Sequence, residues 1–172
     1  HADRTVLRSD RRDLDQLADL PDHLVALVEQ VVGLVTLADR IAERTGIAAH
    51  DLRALIDAIP PHLQPKADTL ALMRRLKARG HRLCILSNMP APYADQLEAA
   101  HACFAWCDVR VFSARVGHIK PEVAMFEHAR QACALDLRQS VFIDDHIGNI
   151  EAAQRLGWQA LHFTDAPRCE AE

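Results

Sequence analysis

The sequence predicts an α/β protein in which a parallel sheet is flanked by helices and accompanied by a small all-helical unit. Short apolar runs alternate with amphipathic helical stretches from about residue 68 onward, which is typical of right-handed βαβ crossovers. The first third of the chain, in contrast, has only helical periodicity. With 172 residues, of which 49% are hydrophobic and 26% charged, the chain is long enough for one core and a small appendage.

The N-terminal third has apolar residues at spacings of three and four, which predicts helices. We expect four of them, over residues 13–20, 22–32, 37–44 and 50–59. Pro21 separates the first two, and Gly46 ends the third. Pro60, Pro61 and Pro65 then predict a stiff connection between two structural units.

The rest of the chain predicts helices and strands in alternation. The expected order is a helix over 68–79, a strand over 81–86, a helix over 90–100, a strand over 109–113, a helix over 122–134, a strand over 141–143, a helix over 149–156 and a strand over 159–163. The first of these strands is a short apolar run, which is typical of strands buried on both faces of a parallel sheet.

Two adjacent carboxylates, Asp144 and Asp145, follow the apolar run Val141–Ile143 and precede a predicted helix. Ligands bind beyond the carboxyl ends of strands in open α/β sheets, so the pair is a candidate site for Mg²⁺. A single acid there would be an ordinary helix cap. Two adjacent acids at the end of a buried strand repel each other and require a counter-charge. From the pair alone, both interpretations remain open.

Two other strand or loop ends carry groups that suit a phosphoryl group. Ser87 and Asn88 offer a hydroxyl and backbone N–H donors, and Lys120 offers a cation. A bound phosphoryl group needs such neutral donors, an ammonium and a metal held by carboxylates. Taken singly, Ser87 and Asn88 would form a turn or a helix cap, and Lys120 would be a surface lysine. Their order along the chain, together with the acidic pair, favours a phosphate and metal pocket.

Composition limits the expected partners. The net charge of −4 gives no general attraction to nucleic acid or to an anionic membrane, and we expect neither as a partner. The longest apolar stretches are too short to span a bilayer. The five cysteines follow no framework spacing, which suits a reducing compartment. We therefore expect a soluble, cytoplasmic protein.

Three motifs, in order, resemble those of the haloacid dehalogenase-like (HAD) superfamily, most closely its sugar-phosphate-phosphatase-like members with a small helical cap. Leu86-Ser87-Asn88 is similar to the second motif of that family, Lys120-Pro121-Glu122 to the third, and residues 142–153 to the fourth. The likeness runs from about residue 33 to residue 165. It implies a HAD-like Rossmannoid parallel sheet with a small all-helical cap.

The resemblance also implies an activity, namely a Mg²⁺-dependent phosphatase that acts on a small phosphorylated metabolite through an aspartyl-phosphate intermediate. The implied roles are phosphate binding by Ser87, the backbone at Asn88 and Lys120, catalysis by Lys120, Mg²⁺ binding by Asp144 and Asp145, and support of the metal loop by Asn149. Lys120 would neutralise both the phosphate and the nucleophile.

The first motif of the family is not intact in this chain. Family members begin with an apolar strand that ends in Asp-x-Asp, whose first Asp attacks the substrate and whose second is the general acid/base. The chain begins His1-Ala-Asp3-Arg-Thr5, so Asp3 and Thr5 occupy matching places while His1 stands at the nucleophile position. Asp3 is therefore a candidate catalytic residue, and no nucleophile is visible.

Three interpretations of this first segment remain open. The match at Asp3 and Thr5 is a coincidence in a surface segment, or the chain is a fragment without its first strand and His1 is the remnant of a tag. In the third interpretation, the protein has lost its nucleophile and binds phosphorylated ligands without turnover. A neutral imidazole does not replace a carboxylate as a Mg²⁺ ligand, because that ion prefers oxygen.

In the family, the first strand lies between the strands that here end at Leu86 and Ile143. Its absence would leave two backbone edges facing a gap, where unpaired N–H and C=O groups are costly. We expect another segment to fill this gap, with the β-branched residues 31–35 as the best internal candidate, or a neighbouring chain to contribute a strand. Direct pairing of the two flanking strands would contradict this expectation.

We expect three segments, with a degenerate or truncated first motif over 1–13, a helical cap over 14–64 and an α/β core over 65–172. Two alternatives to a phosphatase remain open, a catalytically silent binding module and a 2-haloacid dehalogenase. A homodimer is also open, because residues 24–35 suit a helical interface as well as a core. The cap contains no motif that identifies the substrate.

Overall fold

The structure, a computed structural model, describes residues 34–171 and has the α/β architecture predicted from the sequence. Its helices and strands follow in the order α1 (Leu34–Thr45), α2 (Ala49–His62), α3 (Ala67–Ala78), β1 (Cys84–Ser87), α4 (Ala91–Ala100), a 3₁₀ helix (Ala102–Trp106), β2 (Val109–Phe112), α5 (Ser113–Val116), α6 (Val123–Ala132), β3 (Val141–Asp144), α7 (Ile147–Arg155), β4 (Gln159–His162) and α8 (Ala166–Ala171). The helices expected over 13–20 and 22–32 lie outside the described residues.

The four strands form two parallel pairs, β1 with β2 and β3 with β4. Within residues 34–171, β1 and β3 are not paired with each other, and no further strand lies between them. The prediction that residues 31–35 form this strand is wrong for the two of them that the structure describes, because Leu34 and Val35 belong to α1. The strand that completes the gap stays a prediction.

The observed boundaries differ from the expected ones mainly at prolines and strand ends. Pro60 and Pro61 lie inside the last turn of α2 instead of forming a separate connection. A proline removes only one N–H donor, and near a helix end the freed carbonyl can find another partner. The first strand begins at Cys84 rather than at residue 81, and Ser113 opens the short helix α5 rather than ending β2.

The core is built from aromatic contacts beneath the β3–β4 pair. The rings of Phe126, Phe142 and Trp158 meet edge to face, with centroids 5.4 to 6.0 Å apart. Leu86 of β1 packs against this cluster and also against the cluster of Val111, Met125 and Cys133 beneath β2. The two strand pairs therefore share one apolar interior although their backbones are not bonded.

The helices α1 and α2 pack on each other and contact the α/β part through α4. Buried Ala38, Leu52 and Ile56 form a cluster with Tyr93 of α4, and Met89 packs against its edge. The Tyr93 hydroxyl donates a hydrogen bond to the carbonyl oxygen of Ile56 at 2.6 Å. This contact ties the helical pair to the segment that follows β1.

Proline chemistry explains that hydrogen bond. In a regular helix the carbonyl of Ile56 would accept from the N–H of residue 60, but Pro60 has no N–H. Tyr93 supplies the missing donor, and burial raises the pKa of its hydroxyl, assisted by the negative charge of Asp57. The hydroxyl consequently stays protonated as a donor.

No helix within the described part of the chain is long and apolar enough to cross a membrane.

We expect Tyr93→Phe to lower the free energy of unfolding by about 1–2 kcal/mol, because the buried Ile56 carbonyl then lacks a donor. Pro60→Ala restores a backbone N–H four residues after Ile56, so the loss should shrink when both changes are combined. Urea unfolding of the wild type, both single variants and the double variant measures this. Additive effects of the two substitutions would contradict the explanation.

Candidate active site

The polar residues predicted for the site gather at the carboxyl ends of β1 and β3. Ser87 ends β1, Asp144 ends β3, and Lys120 comes from the loop between α5 and α6. Gly117 ends α5 with φ +75°, a left-handed conformation that glycine adopts without strain, and turns the chain toward Lys120. Parallel strands thus deliver the three segments to one edge.

Lys120 and Asp144 form the central contact of this edge. The ammonium Nζ lies 2.6 Å from Asp144 Oδ2, and the two side chains are only 10% and 6% exposed. The same ammonium donates to the carbonyl oxygen of Leu86 at 2.9 Å and lies over the ring of Phe142. Lys120 therefore links the end of β1 to the end of β3 across the gap between the strand pairs.

Asp144 accepts further hydrogen bonds on its other oxygen. Its Oδ1 accepts from the side-chain amide of Asn149 at 3.0 Å and from the backbone N–H of His146 at 2.8 Å. Burial alone would raise the pKa of Asp144, but the bonds from Lys120, Asn149 and His146 outweigh it, so the pKa lies below its ordinary value. Asp144 is therefore a charged, firmly oriented carboxylate.

Asn88 holds the backbone of Lys120 in place. The Asn88 amide nitrogen donates to the Lys120 carbonyl at 2.8 Å, and the Lys120 N–H donates to Asn88 Oδ1 at 2.7 Å. This two-bond clamp uses both ends of the amide group, so the Asn88 side chain faces the protein. A phosphate would meet the backbone at Asn88 rather than this side chain, as the sequence resemblance implies.

Asp145 differs from its neighbour in exposure. Asp144 is buried, whereas Asp145 is exposed and its carbonyl oxygen lies 3.0 Å from Nε2 of His162, at the end of β4. Among residues 34–171, no group of three or more His, Cys, Asp or Glu side chains is arranged to hold a metal.

The adjacent carboxylates nevertheless fit Mg²⁺. This ion binds hard oxygen ligands and commonly uses one or two carboxylates, while water and substrate oxygens fill the other positions. Asp145 offers an exposed carboxylate, and Asp144 Oδ2 accepts one hydrogen bond from Lys120 and keeps lone-pair capacity. The two carboxylates therefore have the ligand chemistry that part of a magnesium site requires.

In the structure, Asp144 is hydrogen-bonded to both Lys120 and Asn149. Asn88 is hydrogen-bonded to the backbone of Lys120. Ser87 is half-buried at the end of β1. Asp3 lies outside the described residues.

Sequence reasoning missed three partners: the carbonyl of Leu86, the N–H of His146 and the hydroxyl of Ser113. The first two are backbone groups, which carry no residue-type signal. Ser113 had one, since it is a hydroxyl residue at the last position of the strand predicted over 109–113.

The curated proteins that the chain resembles include a phosphatase and a dehalogenase. It is 29% identical over 127 residues to sesquiterpene phosphatase astK of Aspergillus oryzae, a match that covers 74% of this chain and 65% of that protein. It is 28% identical over 98 residues to (S)-2-haloacid dehalogenase H-109 of Pseudomonas putida, with 56% and 43% covered. The chain thus spans about two thirds of the first relative and less than half of the second.

The fold is also found in solved structures. A HAD family enzyme of Bacteroides thetaiotaomicron, in complex with magnesium and inorganic phosphate, superposes with a TM-score of 0.66 at 18% identity. The superposition covers 90% of this chain and 80% of that enzyme. At this identity the likeness concerns the fold alone, and it confirms the predicted HAD-like architecture.

The family model of haloacid dehalogenase-like hydrolases matches residues 8–157, most of the chain and all three motifs. The parallel strands, the Lys120–Asp144 contact and the ordered motifs agree with this match, and the chain belongs to the haloacid dehalogenase-like hydrolase family.

Proposed function

We propose that this chain carries the core of a Mg²⁺-dependent phosphatase that acts on a small phosphorylated metabolite. The observation that carries the proposal is the grouping of three chemical functions at one sheet edge. Lys120 provides a buried ammonium, Ser87 and the backbone at Asn88 provide neutral donors, and Asp145 provides an exposed carboxylate beside Asp144. A phosphoryl group with its metal needs this combination.

Asp145 and Asp144 would hold the metal, with Asn149 keeping Asp144 in its orientation. When bound, Mg²⁺ screens the charge of the phosphoryl oxygens and polarises them as a Lewis acid. The protein prepares this position before any ligand arrives, because three hydrogen bonds fix the Asp144 carboxylate.

Lys120 would neutralise the phosphate from the opposite side. Its backbone is clamped by Asn88, and its ammonium is directed by Leu86 and Asp144, so little side-chain freedom is lost when an anion binds. Ser87 would donate its hydroxyl to a phosphate oxygen, and the N–H at Asn88 would donate from the same turn. Asp3 would act as the general acid/base of the reaction, and none of the motif residues within 34–171 is assigned the role of the attacking nucleophile.

The named relatives support this proposal without extending to the substrate. One curated relative is named as a phosphatase of a sesquiterpene, and a structural neighbour was solved with magnesium and inorganic phosphate. We infer for this chain the coarser class that they share, a phosphorylated small molecule.

We further propose the domain division expected from the sequence, with residues 14–64 as a cap and 65–172 as the core. The α1–α2 pair contacts the turn after β1 through Met89 and Tyr93, so a movement of the pair would reach the phosphate-binding segment. A cap in this place would shield the reaction from water.

A 2-haloacid dehalogenase is the second candidate. The observation that favours it is that Asp144 already has three protein donors, so its charge is compensated without a metal. The similarity to a named (S)-2-haloacid dehalogenase agrees with this alternative. Metal-independent release of chloride from 2-chloropropionate would support it over the phosphatase.

We expect Mg²⁺-dependent hydrolysis of a generic phosphomonoester by the wild type, and a loss of roughly a hundredfold or more in Asp145→Ala. The reason is that the metal stabilises the charge that develops in the transition state by several kcal/mol. Release of inorganic phosphate with and without Mg²⁺ measures the effect.

The matched control is Asp136→Ala, which removes an exposed aspartate from the turn before β3, at the other end of that strand. Asp136→Ala should retain wild-type turnover. Metal-independent turnover, or equal turnover by wild type and Asp145→Ala, would contradict the proposed metal role. No turnover by the wild type would contradict phosphatase activity of the chain and leave the silent binding module.

We expect Asn88→Ala to weaken the binding of inorganic phosphate about tenfold, because Lys120 loses both bonds that fix its backbone. Calorimetric titration of phosphate in the presence of Mg²⁺ measures this. Gln96→Ala, a change of an exposed amide on α4, is the control and should bind phosphate as the wild type does. Unchanged phosphate affinity in Asn88→Ala would show that the clamp does not position Lys120.

A further inference from the structure

Ser113 is a fully buried hydroxyl at the sheet edge that carries the site. It follows β2 directly and is 0% exposed. A buried hydroxyl costs stability unless it is hydrogen-bonded, so a serine in this place requires a partner.

The backbone of Met89 is such a partner. The Met89 N–H donates to Ser113 Oγ at 2.9 Å, and the Ser113 hydroxyl donates to the Met89 carbonyl oxygen at 3.4 Å. One side chain thus contacts both polar groups of a single residue and fixes the direction of the peptide bonds on each side of it.

Strand register explains why these residues meet. Ser87 of β1 pairs with Phe112 of β2, so the chain leaves both strands at the same level. Asn88 and Met89 follow the end of β1, and Ser113 follows the end of β2, so the two segments lie side by side.

The peptide that Ser113 fixes belongs to the proposed phosphate-binding turn. The Asn88–Met89 peptide follows the N–H that would donate to phosphate, and the Asn88 side chain clamps Lys120. A series of contacts therefore runs from Ser113 through Met89 and Asn88 to Lys120 and Asp144.

We propose that Ser113 is a positioning residue for phosphate binding, which acts through the backbone of Met89 and does not touch the ligand. This inference rests on the proposed function, since it assigns Ser113 to the same site. It also predicts that Ser113 affects the phosphate side of the site and not the carboxylate side, because its two contacts with Met89 lead to Asn88.

The test compares Ser113→Ala with Ser140→Ala, a serine just before β3 and therefore at the end of that strand remote from Asp144. Amide hydrogen exchange reports on the Met89 N–H, and titrations measure the affinities for Mg²⁺ alone and for inorganic phosphate with Mg²⁺. In Ser113→Ala we expect Met89 exchange to become about tenfold faster and phosphate binding about tenfold weaker, the effect of losing one buried hydrogen bond. The affinity for Mg²⁺ alone should stay unchanged, and Ser140→Ala should match the wild type throughout.

Ser113→Cys provides a second variant if Ser113→Ala does not fold, because a thiol keeps similar volume with a weaker donor and acceptor. It should shift both quantities in the same direction by a smaller factor. Unchanged Met89 exchange, unchanged phosphate affinity, or an equal loss of Mg²⁺ affinity would each overturn the proposal. A wild type that binds no phosphate would instead overturn the proposed function, and the two failures are thereby distinguished.

Discussion

The ion pair between Lys120 and Asp144 is the contact on which the site geometry depends. Two nearly buried, opposite charges lie 2.6 Å apart between strand pairs that share no backbone hydrogen bond. Each charge would be costly to bury alone, and together with Leu86, His146 and Asn149 they are well supplied with hydrogen bonds. The ion pair therefore connects the carboxyl ends of β1 and β3. Ser87 ends β1 and Asp145 follows β3, so the pair also helps to fix the positions of these two residues.

This arrangement divides the acidic pair into two roles. Asp144 is buried, charged and oriented by protein donors, whereas Asp145 is exposed. The adjacent acids that the sequence predicts as a cation site thus differ, since one is buried and oriented by the protein and the other is exposed. The same division explains how the phosphatase and the dehalogenase remain chemically related possibilities, since Asp144 is compensated by Lys120 in either case.

The motif residues were predictable because their side-chain types identify them. The alternation of helices and strands was predictable from the periodicity of apolar residues. Lys120, Asp144 and Asn149 all lie in the sequence motifs, and Asp144 is hydrogen-bonded to both of the others. The backbone partners were not predictable, since any residue has an N–H and a carbonyl. Pro60 within α2 escaped prediction because its missing donor is replaced by Tyr93, which lies 33 residues away in the sequence. The alternating burial of β3 also differs from the buried strand expected over 141–143, because Val141 and Ile143 are 56% and 41% exposed.

A double-mutant cycle on Lys120→Met and Asp144→Asn, read by urea unfolding, tests the central claim most directly. If the pair organises the edge, each single variant should lower the free energy of unfolding by roughly 3–5 kcal/mol. Lys120→Met leaves the buried Asp144 carboxylate without its counter-charge, and Asp144→Asn leaves the buried Lys120 ammonium without its own. The double variant should lose about 2–3 kcal/mol less than the sum of the two, because it buries neither charge. Additivity within about 0.5 kcal/mol would show that the two side chains are not coupled and would contradict the account.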